Sequence, residues 1–75
     1  MQPPKPTMSH PDLSIEHHGA VAVVRLNRPA KRNALSDGLI LALRDAFQNL
    51  PASTRAAVVD GAGEHFCAGL DLSEI

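Results

Sequence analysis

The alternation of apolar and polar residues predicts two short strands near the start of the chain. In residues 13–17 apolar and polar side chains alternate, which is typical of a strand with one buried face. Residues 21–26 are rich in β-branched side chains and predict a hairpin partner, with a turn at residues 18–19. Pro29 lacks the N–H that a ladder needs, so this strand is predicted to end by Arg28.

A helical spacing of apolar residues follows between residues 38 and 50. Ser36 or Asp37 can cap this helix, because a short side-chain oxygen accepts a hydrogen bond from an early N–H. Pro51 is predicted to stop it. The wholly apolar run 56–59 then predicts a short buried strand that needs cover on both faces. The expected apolar stripe of the helix consists of Leu39, Leu43, Phe47 and Leu50, with Ile40 beside it.

Composition excludes several classes of function. The chain has 75 residues and a net charge of −1, so no basic surface indicates nucleic-acid binding. It has no apolar run of about 18 residues, so no membrane span is expected. The lone Cys67 and the absence of an apolar signal core predict a cytoplasmic protein. The four His residues form no ligand cluster, and residues 1–12, which are rich in Pro, predict a disordered leader.

The most informative stretch begins after the apolar run 56–59. Ala68 and Gly69 lie just before a segment that can begin a helix at Asp71. A strand that turns sharply into a helix leaves backbone N–H groups without partners, and the helix dipole favours a negative oxygen beside them. A thioester carbonyl that becomes an enolate needs such donors. The pattern therefore predicts a cradle for an oxyanion, although an ordinary turn between strand and helix would show the same residues.

Two blocks of sequence resemble the crotonase (enoyl-CoA hydratase/isomerase) superfamily. Residues 66–72, Phe-Cys-Ala-Gly-Leu-Asp-Leu, are similar to its oxyanion-hole segment. Residues 25–35, Arg-Leu-Asn-Arg-Pro-Ala-Lys-Arg-Asn-Ala-Leu, are similar to its first CoA-binding loop, and a helix and a strand separate the two blocks as in the family. The resemblance implies an α/β, crotonase-like ββα spiral. Residues 13–75 would form only its first β-β-α-β units, as the amino-terminal part of a longer enzyme.

The resemblance also implies roles for individual residues. The backbone N–H of Leu70 would be one of two donors to the thioester oxygen, and Gly69 would let the ligand approach closely because it has no Cβ. Lys31 and Arg32 would bring positive charge to the CoA phosphates, although a solvated basic turn is the alternative. The expected substrate- and CoA-binding residues are Ala30, Lys31, Arg32, Ala68, Gly69, Leu70, Asp71 and Leu72.

Other polar residues near the blocks are expected to be structural. Asn33 is predicted to hold its loop together, because Asn bonds neighbouring backbone in turns. Asp71 is predicted to cap the following helix. Cys67, with a His two residues earlier, could form a nucleophilic pair, but packing is the expected role. Neither Glu64 nor Glu74 matches the two acid and base carboxylates of the family's hydratases.

The resemblance implies acyl-CoA chemistry through a stabilised thioester enolate. Hydration of a 2-enoyl-CoA to a 3-hydroxyacyl-CoA is the expected reaction, with the CoA thioester as substrate and no metal or redox cofactor. By resemblance the whole protein would form a homotrimer or a dimer of trimers, without nucleic acid or membrane. Isomerase, thioester hydrolase, decarboxylase and dehalogenase reactions stay open, as does a non-catalytic CoA-binding or assembly module. The 75-residue chain alone is expected to be inactive.

Overall fold

The computed structural model describes residues 7–74, which form a four-stranded sheet and one α-helix. The first strand is antiparallel to the second and the second to the third, whereas the fourth is parallel to the third. Parallel neighbours need a crossover connection, and the helix supplies it. The predicted α/β class and β-β-α-β order are confirmed. In sheet order, the strands are β1 (Thr7–His10), β2 (Leu13–His18), β3 (Val21–Leu26) and β4 (Ala56–Gly61), and helix α1 spans Asp37–Gln48.

The strand β1 corrects the prediction of a disordered leader over residues 1–12. Residues 7–10 pair with β2, and a turn at residues 11–12 joins the two strands. The carbonyl of Asp12 accepts a hydrogen bond from the N–H of Asn27 (2.7 Å), and Nδ1 of His10 accepts one from the N–H of Asp12 (3.1 Å). An edge strand needs only one partner, so a polar run beside prolines can still extend the sheet. Residues 1–6 of the predicted leader lie outside the described residues.

The helix begins where the capping pattern indicates. Ser36 is the N-cap, and its Oγ accepts a hydrogen bond from the N–H of Leu39 (3.1 Å). Of the two predicted caps, Ser36 is therefore the one used. At the other end, the N–H of Asn49 donates to the carbonyl of Asp45 (3.0 Å), two residues before Pro51.

The buried face of α1 differs from the predicted stripe. Leu39 is fully buried as expected, but its companions are Ala42 and Ala46, with Leu43 partly buried. Phe47 is exposed, because each residue turns the helix by about 100° and Phe47 therefore leaves the face that holds Ala46. Small side chains on this face let the helix approach the sheet closely. The stripe was therefore wrong at Phe47, and its last predicted member, Leu50, lies beyond the end of the helix at Gln48.

One apolar layer lies between α1 and the sheet. Its strand residues alternate along each strand, so they share one face. Registers that pair Leu13 with Leu26 and Ile15 with Val24 place the four side chains together. The cluster comprises Leu13, Ile15, Val24, Leu26, Leu39, Ala42 and Ala46.

The strand β4 is exposed, which contradicts its predicted burial. All four residues of the run 56–59 are exposed, and Val58 keeps 50% of its accessible surface. The reason is its place at the sheet edge, beyond β3, whereas α1 packs against β1 and β2. Within residues 7–74, no helix is long and apolar enough to cross a membrane.

Candidate active site

The two sequence blocks lie side by side at one end of the sheet. The first block begins at the carboxyl end of β3, and the second follows β4. The carboxyl ends of parallel neighbours meet at the same edge, where ligands bind in open α/β sheets. The N–H of Ala68 donates to the carbonyl of Arg32 (3.0 Å). Three residues later in the first block, Leu35 faces Leu70 as an isolated parallel bridge. A short ladder therefore joins blocks that are far apart in sequence.

The backbone amide of Leu70 points away from this ladder. Leu35 bonds on both sides of it: its N–H donates to the carbonyl of Gly69 (2.7 Å), and its carbonyl accepts from the N–H of Asp71 (2.9 Å). In a parallel ladder, a residue flanked in this way turns its own N–H to the opposite side. Within residues 7–74 the N–H of Leu70 makes no hydrogen bond, so it can donate to a ligand.

Gly69 has a backbone that only glycine adopts readily. Its φ is +92°, outside the regions that residues with a Cβ favour. A Cβ built at Gly69 would meet no atom within 4 Å, so the space beside it is open. The conformation requires glycine, and the open space leaves room for a ligand to approach the neighbouring amide of Leu70 closely.

The basic loop has a defined backbone and exposed side chains. Residues 29–31 form a 3-10 turn, and the N–H of Arg32 closes it on the carbonyl of Pro29 (3.1 Å). Arg32 and Asn33 then adopt left-handed φ values of 52° and 58°, which turn the chain back toward α1. The side chains expected to contact CoA at this loop, those of Ala30, Lys31 and Arg32, are all exposed.

Asn33 connects the two blocks through a buried side chain. Its Oδ1 accepts from the N–H of Arg28 (2.8 Å), which is the bond within its own loop that the sequence predicts. Its Nδ2 donates to the carbonyls of Ala62 (3.0 Å) and His65 (2.6 Å), in the loop after β4. Asn33 is 0% exposed and all its amide hydrogen-bonding groups are used. The two contacts across the blocks were not predicted.

Arg28 has no role predicted from sequence, yet it contacts both blocks. Its Nη1 donates to the carbonyl of Ala34 (2.6 Å) and its Nη2 to Oδ2 of Asp71 (3.1 Å). Its Nε lies 3.5 Å from Oδ2 of Asp12, in the turn between β1 and β2. The signal that could have found it is the opposite charge of Arg28 and Asp71 in two blocks expected to bind the same CoA thioester.

Asp71 caps the turn that follows it, as predicted. Its Oδ1 accepts hydrogen bonds from Oγ (2.6 Å) and N–H (3.1 Å) of Ser73. The turn it caps is 3-10, over Leu72–Glu74. The Ser73 hydroxyl, then the Ser73 N–H and the Arg28 guanidinium hold the pKa of Asp71 below its ordinary value of 3.8. Both carboxylate oxygens therefore already have protein partners.

The remaining residues of the second block are apolar or packed. Leu70 and Leu72 have exposed side chains beside the open amide. Cys67 packs against the core, and its Sγ accepts from the N–H of Gly69 at 3.4 Å. Cys67 and His65, both described, share no hydrogen bond, which leaves packing as the role of Cys67. Within residues 7–74, no three His, Cys, Asp or Glu side chains are grouped to hold a metal ion.

Comparisons with known proteins match residues 16–75 to the family described as enoyl-CoA hydratase/isomerase. An enoyl-CoA hydratase from Mycobacterium tuberculosis is 39% identical over 66 residues, covering 85% of this chain and 25% of that protein. A 4-chlorobenzoyl coenzyme A dehalogenase from an Arthrobacter species is 42% identical over 65 residues, covering 84% and 24%.

A crystal structure from Rhodopseudomonas palustris, of a protein assigned as an enoyl-CoA hydratase, superposes with a TM-score of 0.82. It is 50% identical and covers 92% of this chain and 27% of that one. The chain thus spans about a quarter of the length of these relatives. Since the family match covers most of the chain and the fold agrees, this chain belongs to the enoyl-CoA hydratase/isomerase, or crotonase, family.

Proposed function

We propose that this chain contributes the oxyanion donor and the CoA-nucleotide loop of an acyl-CoA enzyme whose reaction is hydration of a 2-enoyl-CoA. The observation that carries the proposal is the N–H of Leu70, which has no partner within residues 7–74 and lies beside the basic loop. The chain spans a quarter of its relatives' length, so the activity belongs to the intact protein, meaning the polypeptide in which this sequence occurs.

The proposed role of the Leu70 amide is strongest in the transition state. When water adds to C3 of the enoyl group, the C2–C3 π electrons move toward the thioester carbonyl, whose oxygen becomes negative. The attacking water gives up one proton and C2 takes up one, so the elements of water are added and the 3-hydroxyacyl-CoA results. A fixed N–H donor stabilises the developing anion more than the neutral carbonyl, and removing one such donor typically costs about 3–4 kcal/mol.

The proposed CoA contacts lie on the two segments that the short ladder joins. Lys31 and Arg32 are exposed on the loop joined to the oxyanion segment, where their charges suit phosphate groups. The backbone near Ala30, and the apolar groups of Ala68 and Leu72, would line the path from nucleotide to acyl group. CoA is the substrate's carrier in this proposal, not a resident cofactor.

We also propose that the intact protein is a cytoplasmic homotrimer or dimer of trimers. Among the described residues, apolar side chains on β4 and the second block are exposed. An exposed apolar surface of this kind supports the proposal that further protein covers it. A light-scattering mass equal to one chain of the intact protein would contradict the assembly.

A second candidate reaction is dehalogenation of an aryl-CoA thioester. The relative named as a 4-chlorobenzoyl coenzyme A dehalogenase is as similar to this chain as the hydratase. An oxyanion donor serves both reactions, because each places negative charge on a thioester oxygen. A non-catalytic CoA-binding module is the third reading, in which CoA thioesters bind without turnover.

The test is turnover of crotonyl-CoA by the intact protein, followed by loss of the enoyl absorbance band. Leu70→Pro deletes the donor N–H, whereas Leu70→Ala keeps it and removes most of the side chain. We expect kcat to fall by about 10²–10³-fold in the first variant, with the circular dichroism spectrum retained. The second should keep most of its activity. Normal turnover by Leu70→Pro would refute the role of this amide.

The same assay separates the rival reactions. Turnover of 4-chlorobenzoyl-CoA but not crotonyl-CoA would favour the dehalogenase. Binding of butyryl-CoA by calorimetry, with no turnover of either thioester, would favour the binding module. Lys31→Ala should raise KM for crotonyl-CoA and leave kcat nearly unchanged, because it removes a contact made equally in ground and transition states.

A further inference from the structure

One guanidinium holds both strands of the short ladder that carries the Leu70 amide. Arg28 donates to the carbonyl of Ala34 on one side (2.6 Å) and to the carboxylate of Asp71 on the other (3.1 Å). Ala34 immediately precedes Leu35, and Asp71 immediately follows Leu70. The fork of Arg28 therefore spans the Leu35–Leu70 bridge itself.

The contact between Arg28 and Asp71 is well placed to fix the direction of the Leu70 N–H. The side chains of Arg28 and Asp71 are only 15% and 11% exposed, so solvent screens their attraction weakly. The other oxygen of Asp71 accepts two hydrogen bonds from Ser73, which fixes the carboxylate to its own backbone. The peptide group that carries the Leu70 N–H is held on its Gly69 side by the hydrogen bond from the Leu35 N–H to the Gly69 carbonyl (2.7 Å). The Arg28–Asp71 contact holds the chain on the other side of Leu70.

We propose that Arg28 is a positioning residue that sets the direction of the Leu70 N–H by holding Asp71 against the first block. The inference rests on the proposed function, since a direction matters only if the amide donates to a reacting oxygen. Lys cannot replace Arg28 in this role, because a single ammonium lacks the planar fork that reaches Ala34 and Asp71 together.

A purely structural role for Arg28 is the competing explanation, and the chain contains a matched control. Arg25 also makes a two-bond contact with an aspartate, donating to both oxygens of Asp60 at 2.8 Å. Arg25 begins the first block but lies within β3, outside residues 30–32, which are proposed to bind CoA, and outside the Leu35–Leu70 bridge. Its pair with Asp60 links β3 to β4, and the two side chains are 40% and 38% exposed. Arg25→Lys therefore removes the same chemistry from a place without contact to the amide.

The experiment compares Arg28→Lys and Arg25→Lys in the intact protein. Crotonyl-CoA kinetics should show a kcat lower by about 10–100-fold for Arg28→Lys, since a displacement near 1 Å can cost that much. Its KM should change little, because Lys31 and Arg32 are untouched. Arg25→Lys should leave kcat and KM unchanged. Asp71→Asn, which keeps the shape and weakens the pair, should also lower kcat and serves if Arg28→Lys does not fold.

An infrared measurement reads the amide's direction without turnover. The carbonyl stretch of bound, carbonyl-labelled butyryl-CoA should lie below that of the free thioester in the wild-type protein. In Arg28→Lys, or in Asp71→Asn, it should return toward the free value, whereas Arg25→Lys should keep the wild-type frequency. A general loss of stability would not move the frequency of ligand that is bound.

The outcomes distinguish the two proposals. If the wild-type protein gives no carbonyl shift, the proposed function fails and this inference fails with it. If the shift and kcat persist in Arg28→Lys while only the melting temperature falls, Arg28 is structural and this inference alone is overturned. A rise in KM at unchanged kcat would overturn it in the same way.

Discussion

At the residue scale, the backbone and the hydrogen bonds at position 33 together require an asparagine side chain. Its φ of 58° is left-handed, a conformation that Asn tolerates better than most residues. Its Nδ2 supplies two protons to two carbonyls, and its Oδ1 accepts from the N–H of Arg28. Asp would offer no donor, and Gly would offer no side chain. The position therefore requires an amide in both its donor and acceptor roles.

Asn33→Asp should destabilise the intact protein by about 2–6 kcal/mol. The substitution keeps the Oδ1 acceptor and the tolerance for positive φ, but it leaves the carbonyls of Ala62 and His65 without donors, at about 1–3 kcal/mol each. Urea unfolding midpoints measure the change. Asn49→Asp is the control, because Asn49 makes one exposed bond to the carbonyl of Asp45 (2.7 Å) and should cost about 1 kcal/mol. Equal losses in the two variants would contradict this account.

Sequence could predict only part of these contacts. The bond from Asn33 to its own loop follows from the local habit of Asn in turns. The bonds to Ala62 and His65, and the pair of Arg28 with Asp71, form only once β4 lies beside β3. Such contacts depend on the register of a parallel pair that local patterns do not encode. The same holds for the unbonded amide of Leu70, whose direction follows from its bridge to Leu35.

At the element scale, the end of β4 is closed by the loop that follows it. A Cβ at Gly61 would lie against the carbonyl oxygen of Phe66, and within 2.6 Å of Nδ2 of Asn33 and 2.7 Å of the carbonyl oxygen of His65. Two of these three atoms belong to the backbone, which cannot swing away as a flexible side chain can. The loop can fold over the strand end only because this position has no side chain.

Gly61→Ala should therefore cost more than an alanine at a glycine that lacks neighbours. We expect about 3 kcal/mol for Gly61→Ala, from forced shifts of packed atoms. Gly19→Ala is the control: its φ is +60° with no atom within 4 Å of a Cβ, so backbone strain of about 1 kcal/mol remains. Urea unfolding of both variants in the intact protein measures the difference. A Gly61→Ala variant no less stable than Gly19→Ala would show that the loop moves freely.

The elements were predictable where their signals are local. Residue alternation located β2 and β3 to within about one residue, and a hydroxyl cap located the start of α1. The strand β1 was missed because a polar edge strand has little apolar signal. Phe47 was misplaced because apolar spacing alone does not show that alanines face the sheet. The burial of β4 was wrong because burial depends on neighbours, and among the described residues 7–74 β3 is its only strand neighbour.

At the scale of the whole molecule, the apolar surface is divided unequally. One side of the sheet buries a compact cluster under α1, whereas the β4 edge and the second block leave large apolar side chains exposed. Leu72 is 74% exposed, and Val58, Phe66 and Leu70 are also exposed. The exposed edge of β4 further presents backbone groups that can pair with another strand. The part of the molecule that holds the candidate site is therefore the part with the least internal support.

This imbalance leads us to expect no cooperative unfolding of the 75-residue chain on its own. A chain of this size buries only about 60% of its unfolded surface, and stability at that size is marginal without disulfide or metal. Its single cysteine is free, and its buried apolar residues are mostly confined to the α1 side. Scanning calorimetry of the isolated chain should show no sharp peak, whereas the intact protein should give one. A sharp, reversible transition, with calorimetric and van't Hoff enthalpies that agree, would show that the cluster under α1 suffices to hold the exposed β4 edge in place.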